Sequence, residues 1–327
     1  MSLPPSEIPS GAMRFNSDSQ KLEYWDGSQW VQVHTFSPNL NGGARGVFGG
    51  GATPTNTNAI DYITISSTGN AVDFGDRTGT TNTLGACSSN TRGLFGGGGP
   101  TNSNTIDFIT ITSTGNANDF GDLTVARGTQ SCSSSTRGIF AGGYIFPAAP
   151  VLNTIDYVTI ASTGNANDFG DLSTIRWWVG AAASPTRGVI AGGQSPTSNI
   201  IDFITIATIG NALDFGDLTQ ARGQSAGCSN ATRALFGGGH TIVNTIDYIT
   251  IASIGNAVKF GDLTETRQGN ASCSSSTRGV WGNGATPTLV NTIDYVTIQA
   301  QGNAVDFGDL TVARSAAAGL SNAHGGL

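Results

Sequence analysis

Residues 104–127 read Asn-Thr-Ile-Asp-Phe-Ile-Thr-Ile-Thr-Ser-Thr-Gly-Asn-Ala-Asn-Asp-Phe-Gly-Asp-Leu-Thr-Val-Ala-Arg. The first eight residues are rich in β-branched and aromatic side chains and predict a strand. Ser-Thr-Gly-Asn predicts a turn, because glycine and asparagine tolerate positive φ. Asn-Asp-Phe-Gly-Asp-Leu predicts a further strand. Related text occurs six times, each copy led by roughly Arg-Gly-(Val/Leu/Ile)-Phe-x-Gly-Gly. The leading arginines are Arg45, Arg92, Arg137, Arg187, Arg233 and Arg278, spaced 47, 45, 50, 46 and 45 residues apart. A period in the forties built from short apolar runs and glycine turns predicts one four-stranded sheet per repeat.

The third copy shows the expected order. Arg137 to Gly143 is an apolar strand ending in a glycine pair, and Tyr144 to Leu152 is an irregular loop with Pro147 and Pro150. Thr154 to Ile160 and Asn167 to Leu172 are strands. Trp178 to Ala183 is the fourth, its small residues suited to a crowded innermost position. Cys87, Cys132, Cys228 and Cys273 each lie five residues before a repeat arginine, and Ala182 fills that slot in one copy. A disulfide or metal set would not tolerate that swap, so these read as small buried side chains of an inner strand.

This order of elements resembles the kelch repeat, whose members form β-propellers with four antiparallel strands per blade. The family carries a tryptophan on the last strand; this chain has Phe74, Phe120, Phe169, Phe215, Phe260 and Phe307 there. The resemblance covers residues 40–327 and implies an all-β, six-bladed kelch-like β-propeller. Repeats are expected near 44–90, 91–135, 136–185, 186–231, 232–276 and 277–314. Two segments are candidates for a closing inner strand, 38–43 and 315–327; we favour the second, which would remove an open sheet edge.

Residues 1–35 do not fit the repeat. A Pro/Ser-rich arm leads into three short strands, Ala12–Asn16, Lys21–Trp25 and Gln29–Val33, with Asp26-Gly27 as a hairpin signal. Tyr24, Trp25 and Trp30 are the expected mini-core of a piece too small to stand alone. Its text, Ser10-Gly-Ala-Met-Arg-Phe-Asn16 through Trp25-Asp-Gly-Ser-Gln-Trp-Val31, resembles a small module of tail fibres and other virion proteins of tailed bacteriophages. Propellers with the Ile-Asp-Tyr-Ile-Thr-Ile and Gly-Asn-Ala-x-Asp-Phe-Gly-Asp-Leu text resemble proteins of marine phages, especially those infecting cyanobacteria. The resemblance implies a virion location, and a small β anchor module at 1–35 joined to a propeller at 36–327. Arg14, Phe15, Tyr24, Trp25 and Trp30 are then candidates for docking to another virion protein.

Bulk composition excludes several classes. Charged residues are only 11% of the 327, there are two lysines, and the net charge is −7. The arginines recur singly, so the clustered positive charge that nucleic acid demands is missing. No apolar run approaches the ~20 residues of a membrane span, and the N-terminal residues carry no signal-peptide pattern. The three histidines, His34, His240 and His324, sit in unlike places, so neither a zinc site nor a copper oxidase is expected. No cofactor is expected.

Acidic pairs such as Asp73/Asp76 and Asp168/Asp171 invite a catalytic reading. The fifth copy replaces the first member by Lys259 while keeping Asp262, which favours a scaffold role. The second member is expected to accept backbone or arginine hydrogen bonds at a blade corner. The recurrent Asp61, Asp107, Asp156, Asp202, Asp247 and Asp294 are likewise read as structural.

Antiparallel order sorts the loops onto two faces. One carries the constant turns, the other the variable loops after Gly-Gly and the crossings between repeats. Variable loops on a rigid frame are the usual seat of recognition. Tyr144, Ile145, Phe146, Trp177 and Trp178 form an aromatic group there, with His240 nearby as a further candidate. The expected function is a non-enzymatic virion protein, tail fibre or tail-associated, that displays its propeller to a host-surface glycan or protein and is multimeric in the particle. Capsid decoration or an adaptor role without a receptor, and a carbohydrate-active enzyme, are the alternatives.

Overall fold

Thr105–Thr110 is a strand, paired on one side with Arg92–Gly96 and on the other with Asn118–Asp122. Arg92–Gly96 pairs in turn with Gly85–Ser88, which is thin enough to be innermost. The computed structural model describes residues 8–16, 21–32, 44–147 and 150–327, and six such four-stranded antiparallel sheets occur among them. We number them by their arginine strand. Gly85–Ser88, Arg92–Gly96, Thr105–Thr110 and Asn118–Asp122 make sheet 2. Sheets 3 to 6 begin with the inner strands Gly128–Ser133, Gly180–Ala183, Ala226–Ser229 and Ala271–Ser274. Sheet 1 takes Ala318–Ser321 as its inner strand, beside Arg45–Gly49, Ala59–Thr64 and Val72–Asp76. The architecture is all-β and β-propeller-like.

Two expectations change. The run ending at Ala183 does not complete the sheet of the third repeat; it opens sheet 4 by pairing with Arg187–Ala191. The loop after Gly143 is also shorter than expected, because Tyr144 and Val151 pair and extend the hairpin. The segment 38–43 and the division at 35/36 lie outside the described residues.

The repeated text specifies contacts between sheets more than within them. Arg127, which follows sheet 2, is fully buried and meets Asp156 of sheet 3 at 2.9 Å. The other five copies cross a boundary or close one in the same way: Arg77–Asp107, Arg176–Asp202, Arg222–Asp247, Arg267–Asp294 and Arg314–Asp61. Asp156 also accepts from Thr124 Oγ1 at 2.6 Å. Burial lowers the pKa of Arg77, Arg176, Arg222, Arg267 and Arg314, and each carboxylate pulls it back up. Removing one partner of such a pair costs ~3–5 kcal/mol, because the other charge is left buried alone.

The leading arginines form a second tie. Arg45 lies over the Tyr62 ring at 4.7 Å and donates to the Ile111 carbonyl of sheet 2. Arg278 lies over Tyr295 and donates to Ile65 O, joining sheet 6 to sheet 1.

The Gly-Asn-Ala turn is the third tie, and it covers the outer edge of the preceding sheet. Gly115 N and Ala117 N donate to Phe74 O and Asp76 O, while Asp76 N donates to Asn116 Oδ1. Gly75 sits at φ +142°, and a Cβ there would meet Gly115 O at 2.5 Å, so this close approach requires glycine. The series returns to its start, with Asp309 N on Asn70 Oδ1. Open edges are thereby paired rather than left to template aggregation.

The four cysteines are free and buried on inner strands, where burial raises every thiol and pushes Cys132 up to about 12. Each faces the glycine after the next sheet's leading arginine. A Cβ at Gly138 would stand 2.7 Å from Cys87 Sγ, and one at Gly279 2.8 Å from Cys228 Sγ. Where Ala182 replaces the cysteine, Ala234 replaces the glycine, and both lie in one core cluster.

The N-terminal unit is a three-stranded antiparallel sheet, Met13–Asn16, Lys21–Trp25 and Trp30–Gln32. Asp26 caps its hairpin by accepting from Ser28 N and Gln29 N.

Candidate functional site

The crossings between sheets and the loops after Gly-Gly share one face and are stitched by isolated bridges. These are Asn82 with Gly99, Trp177 with Gln194, Gln268 with Ala285 and Ser315 with Ala52. At the entry to the inner strands a single position recurs in a left-handed conformation: Thr83, Trp178, Gln224, Gly269 and Ala316, with φ between 53° and 64°. Such φ values are uncommon outside glycine. Backbone bonds link these residues in sequence. Gln224 N donates to Trp178 O, Gly269 N to Gln224 O, Ala316 N to Gly269 O and Thr83 N to Ala316 O.

They border a cavity of about 240 Å³ to which all six sheets contribute. Its lining includes Thr83, Gln130, Trp178, Gln224, Ser225, Gln268 and Asn270, and no charged residue. A narrower space of about 40 Å³ continues between the inner strands, lined by Ser131, Ser225, Asn270 and small residues. At the opposite end of the inner strands the chain plugs the opening with its own residues 322–327. His324 Nε2 lies 3.0 Å from Ser88 O, Gly325 N donates to Ser229 O, and Asn322 Oδ1 accepts from Arg45 N. Burial lowers the His324 pKa to about 4.

The aromatic group foreseen on the variable face comes together. Tyr144 stacks on Trp177 at 4.7 Å, Trp177 stacks on Trp178 at 3.9 Å, and Phe146 stands edge-on to Tyr144 at 4.8 Å. Phe146 N and O bond the Asn102 side chain of sheet 2, which pins the hairpin tip. Ile145 N donates to Pro150 O at the base of the same loop. Trp177 Nε1 reaches Ser195 Oγ of sheet 4. His240 is not part of this group. Its Nδ1 lies 2.9 Å from Gln268 Oε1, so it backs one wall of the cavity. His34 lies outside the described residues.

Sequence reasoning missed the amides Gln130, Gln224, Gln268 and Asn270. Their one signal was position: each stands within three residues of the start of an inner strand.

In the N-terminal unit the expected anchor residues divide between two faces. Trp25 is buried against Trp30 at 5.6 Å, and Arg14 covers the Trp30 ring while pairing with Glu23 at 2.8 Å. Tyr24 is not part of that mini-core, because strand alternation turns it away. It shares the other face with Met13, Phe15 and Leu22, which are 61%, 66% and 40% exposed.

The acidic pairs sit on outer strands with their first members exposed. Arginine does not reach their second members; the arginines go to the Asp61 set instead. The second members lie at the covered outer edge, where the neighbouring turn approaches their backbone, and Asp262 pairs with Lys259 at 3.0 Å. Among the described residues no cluster of three His, Cys, Asp or Glu could hold a metal ion. Among the described residues no helix is long and apolar enough to cross a membrane. No family model matches the sequence, and no curated protein matches it.

Proposed function

We propose that this chain is a non-enzymatic virion protein of a tailed bacteriophage. In this reading it is a six-bladed, kelch-like β-propeller held to the particle by its N-terminal module, with its variable-loop face turned to the host surface. The observation that carries the binding role is the aromatic group Tyr144, Phe146, Trp177 and Trp178, which breaks the repeat on the one face where loops differ. A six-bladed ring is supported by ties that run from each sheet to the next and from sheet 6 back to sheet 1. An anchoring role is supported by the exposed Met13, Phe15, Leu22 and Tyr24, an apolar face on a sheet too small to be stable alone. A scaffold role for the repeated carboxylates is supported by the neutralisation of the Asp61 set by buried arginines.

Gold labelling of purified particles with an antibody to residues 8–32 tests the location, and labelled tails are expected. Recombinant protein should bind host cells, and the pair Trp177→Ala and Trp178→Ala should remove most of that binding. Particles without label would refute the virion reading. Labelled particles whose protein binds cells equally well with or without the two tryptophans would point to decoration or an adaptor role.

A further inference from the structure

We propose that the cavity on the loop face binds a single neutral sugar unit, the terminal residue of a glycan. The inference rests on the reading that this face is the recognition face, and it names the ligand class. The lining carries donors and acceptors but no charge. Gln130 and Gln224 line the cavity, and no protein hydrogen bond engages their side-chain amides among the described residues. Deeper, Ser225 Oγ and Asn270 Oδ1 are without a protein partner, although the two residues are only 5% and 7% exposed. Buried polar groups are seldom left unpaired, so these atoms point to a polar occupant.

The chemistry narrows that occupant. An apolar ligand would strand the amides and hydroxyls without hydrogen bonds. An acid or amine would enter a cavity with no counter-charge. A peptide terminus fails for the same reason. A sugar hydroxyl both donates and accepts, as does a primary amide, so adjacent hydroxyls match Gln130, Gln224 and Asn270. Trp178 supplies an aromatic wall for the ring's C–H face, and Trp177 behind it holds that wall in place. The volume, about 240 Å³, exceeds the ~150 Å³ of a cavity that takes up one benzene ring, and leaves room for one sugar ring and not a chain. The left-handed positions around the rim hold the cavity in one shape before the ligand arrives.

The test titrates the full chain with glucose, galactose, mannose and N-acetylglucosamine, and with glucuronate and glucosamine as charged controls. Tryptophan fluorescence and ligand-observed NMR are the readouts. One neutral sugar is expected to bind in the ~mM range, as suits so small a ligand. Trp178→Ala should weaken it about tenfold, the loss of one aromatic anchor, and Gln224→Ala should weaken it measurably. The alanine is compatible with the backbone, because Ala316 already holds that conformation in sheet 1 at φ 54°. Binding that is absent for every neutral sugar, unchanged in Trp178→Ala, or tighter for a charged control would overturn the proposal. If the sugars fail while the protein still labels particles and binds cells, the sugar site falls and the display reading stands. If a sugar binds but no particle carries label, the reverse holds.

Discussion

Substituting Gly138 by alanine probes the packing between sheets 2 and 3. Its Cβ would stand 2.7 Å from Cys87 Sγ and 3.2 Å from Val158 Cγ2. Apolar atoms settle near ~3.5–4.0 Å, so the sulfur is about 1 Å too close. Overpacking of this kind costs ~1–3 kcal/mol. Replacing a strand glycine returns ~0.5–1 kcal/mol, and φ at this position is compatible with alanine. Cys87→Ala alone removes one buried heavy atom at a cost of ~1 kcal/mol. The two changes together reproduce what the chain already holds at Ala182 and Ala234, where both side chains are methyls in one core cluster. The double mutant should therefore lie close to wild type, with a coupling of ~1–3 kcal/mol between the sites. Urea unfolding with an unchanged slope measures it. Additivity within ~0.5 kcal/mol would refute the reasoning. So would failure of the mirror experiment, in which Ala182→Cys destabilises alone and is relieved by Ala234→Gly.

Asp156→Asn keeps an oxygen for Thr124 but leaves Arg127 buried without a counter-charge; it should cost ~3–5 kcal/mol, and a loss below ~1 kcal/mol in urea would contradict the pairing. Deleting residues 315–327 removes the inner strand of sheet 1 and the plug at one end; the product is expected to be insoluble or unfolded, and a soluble monomer with unchanged melting would count against it. His324 is neutral in the fold down to about pH 4, against an ordinary value of 6.5, so the unfolded chain binds more protons between those limits. Stability is then full above pH 6.5 and falls as pH drops toward 4, by at most ~1.4 kcal/mol per unit and by less because the side chain is only half-buried. His324→Gln should flatten that fall relative to wild type in urea melts at pH 4.5 and 7; parallel curves would exclude the role.

The strands were legible because the signals for them are local. Ile-Asp-Tyr-Val-Thr-Ile needs no partner to favour an extended chain, and Ser-Thr-Gly-Asn needs none to turn. The roles of the constant polar residues were hidden, because their partners are distant in sequence. Arg127 meets Asp156, 29 residues on, and Arg314 meets Asp61 at the far end of the propeller text. Reasoning from proximity pairs the arginines with the Asp122 set, which the neighbouring Gly-Asn-Ala turn approaches instead. The link between Ala182 and Ala234 was readable as a pair of departures from one repeat, but their contact emerges only when adjacent sheets are packed. Tyr24 shows the same limit at small scale. Composition placed it in a core, and strand alternation placed it on the exposed face with Phe15.

In a repeated fold, what recurs answers to the frame and what departs is free to answer to something else. Two circuits of hydrogen bonds run around the inner strands, and both break at the same boundary. At the plugged end, Ser133 Oγ bonds Ser88 O, Ser88 Oγ bonds Ser321 O, Ser321 Oγ bonds Ser274 O, Ser274 Oγ bonds Ser229 O and Ser229 Oγ bonds Ala183 O. Ala183 has no hydroxyl with which to return to Ser133. At the cavity end, the backbone circuit runs from Trp178 through Thr83 to Thr129, and no such bond joins Thr129 to Trp178 among the described residues. Sheets 3 and 4 are therefore the pair least bound to each other along the inner strands. The extended hairpin of sheet 3, the stacked Tyr144, Trp177 and Trp178, and the tryptophan wall of the cavity all stand over that boundary. The aromatic stack bridges sheets 3 and 4 where the polar circuits do not. One set of rings thus serves the frame and lies on the face proposed for recognition, and loss of Trp177 should loosen the boundary as well as weaken the proposed binding.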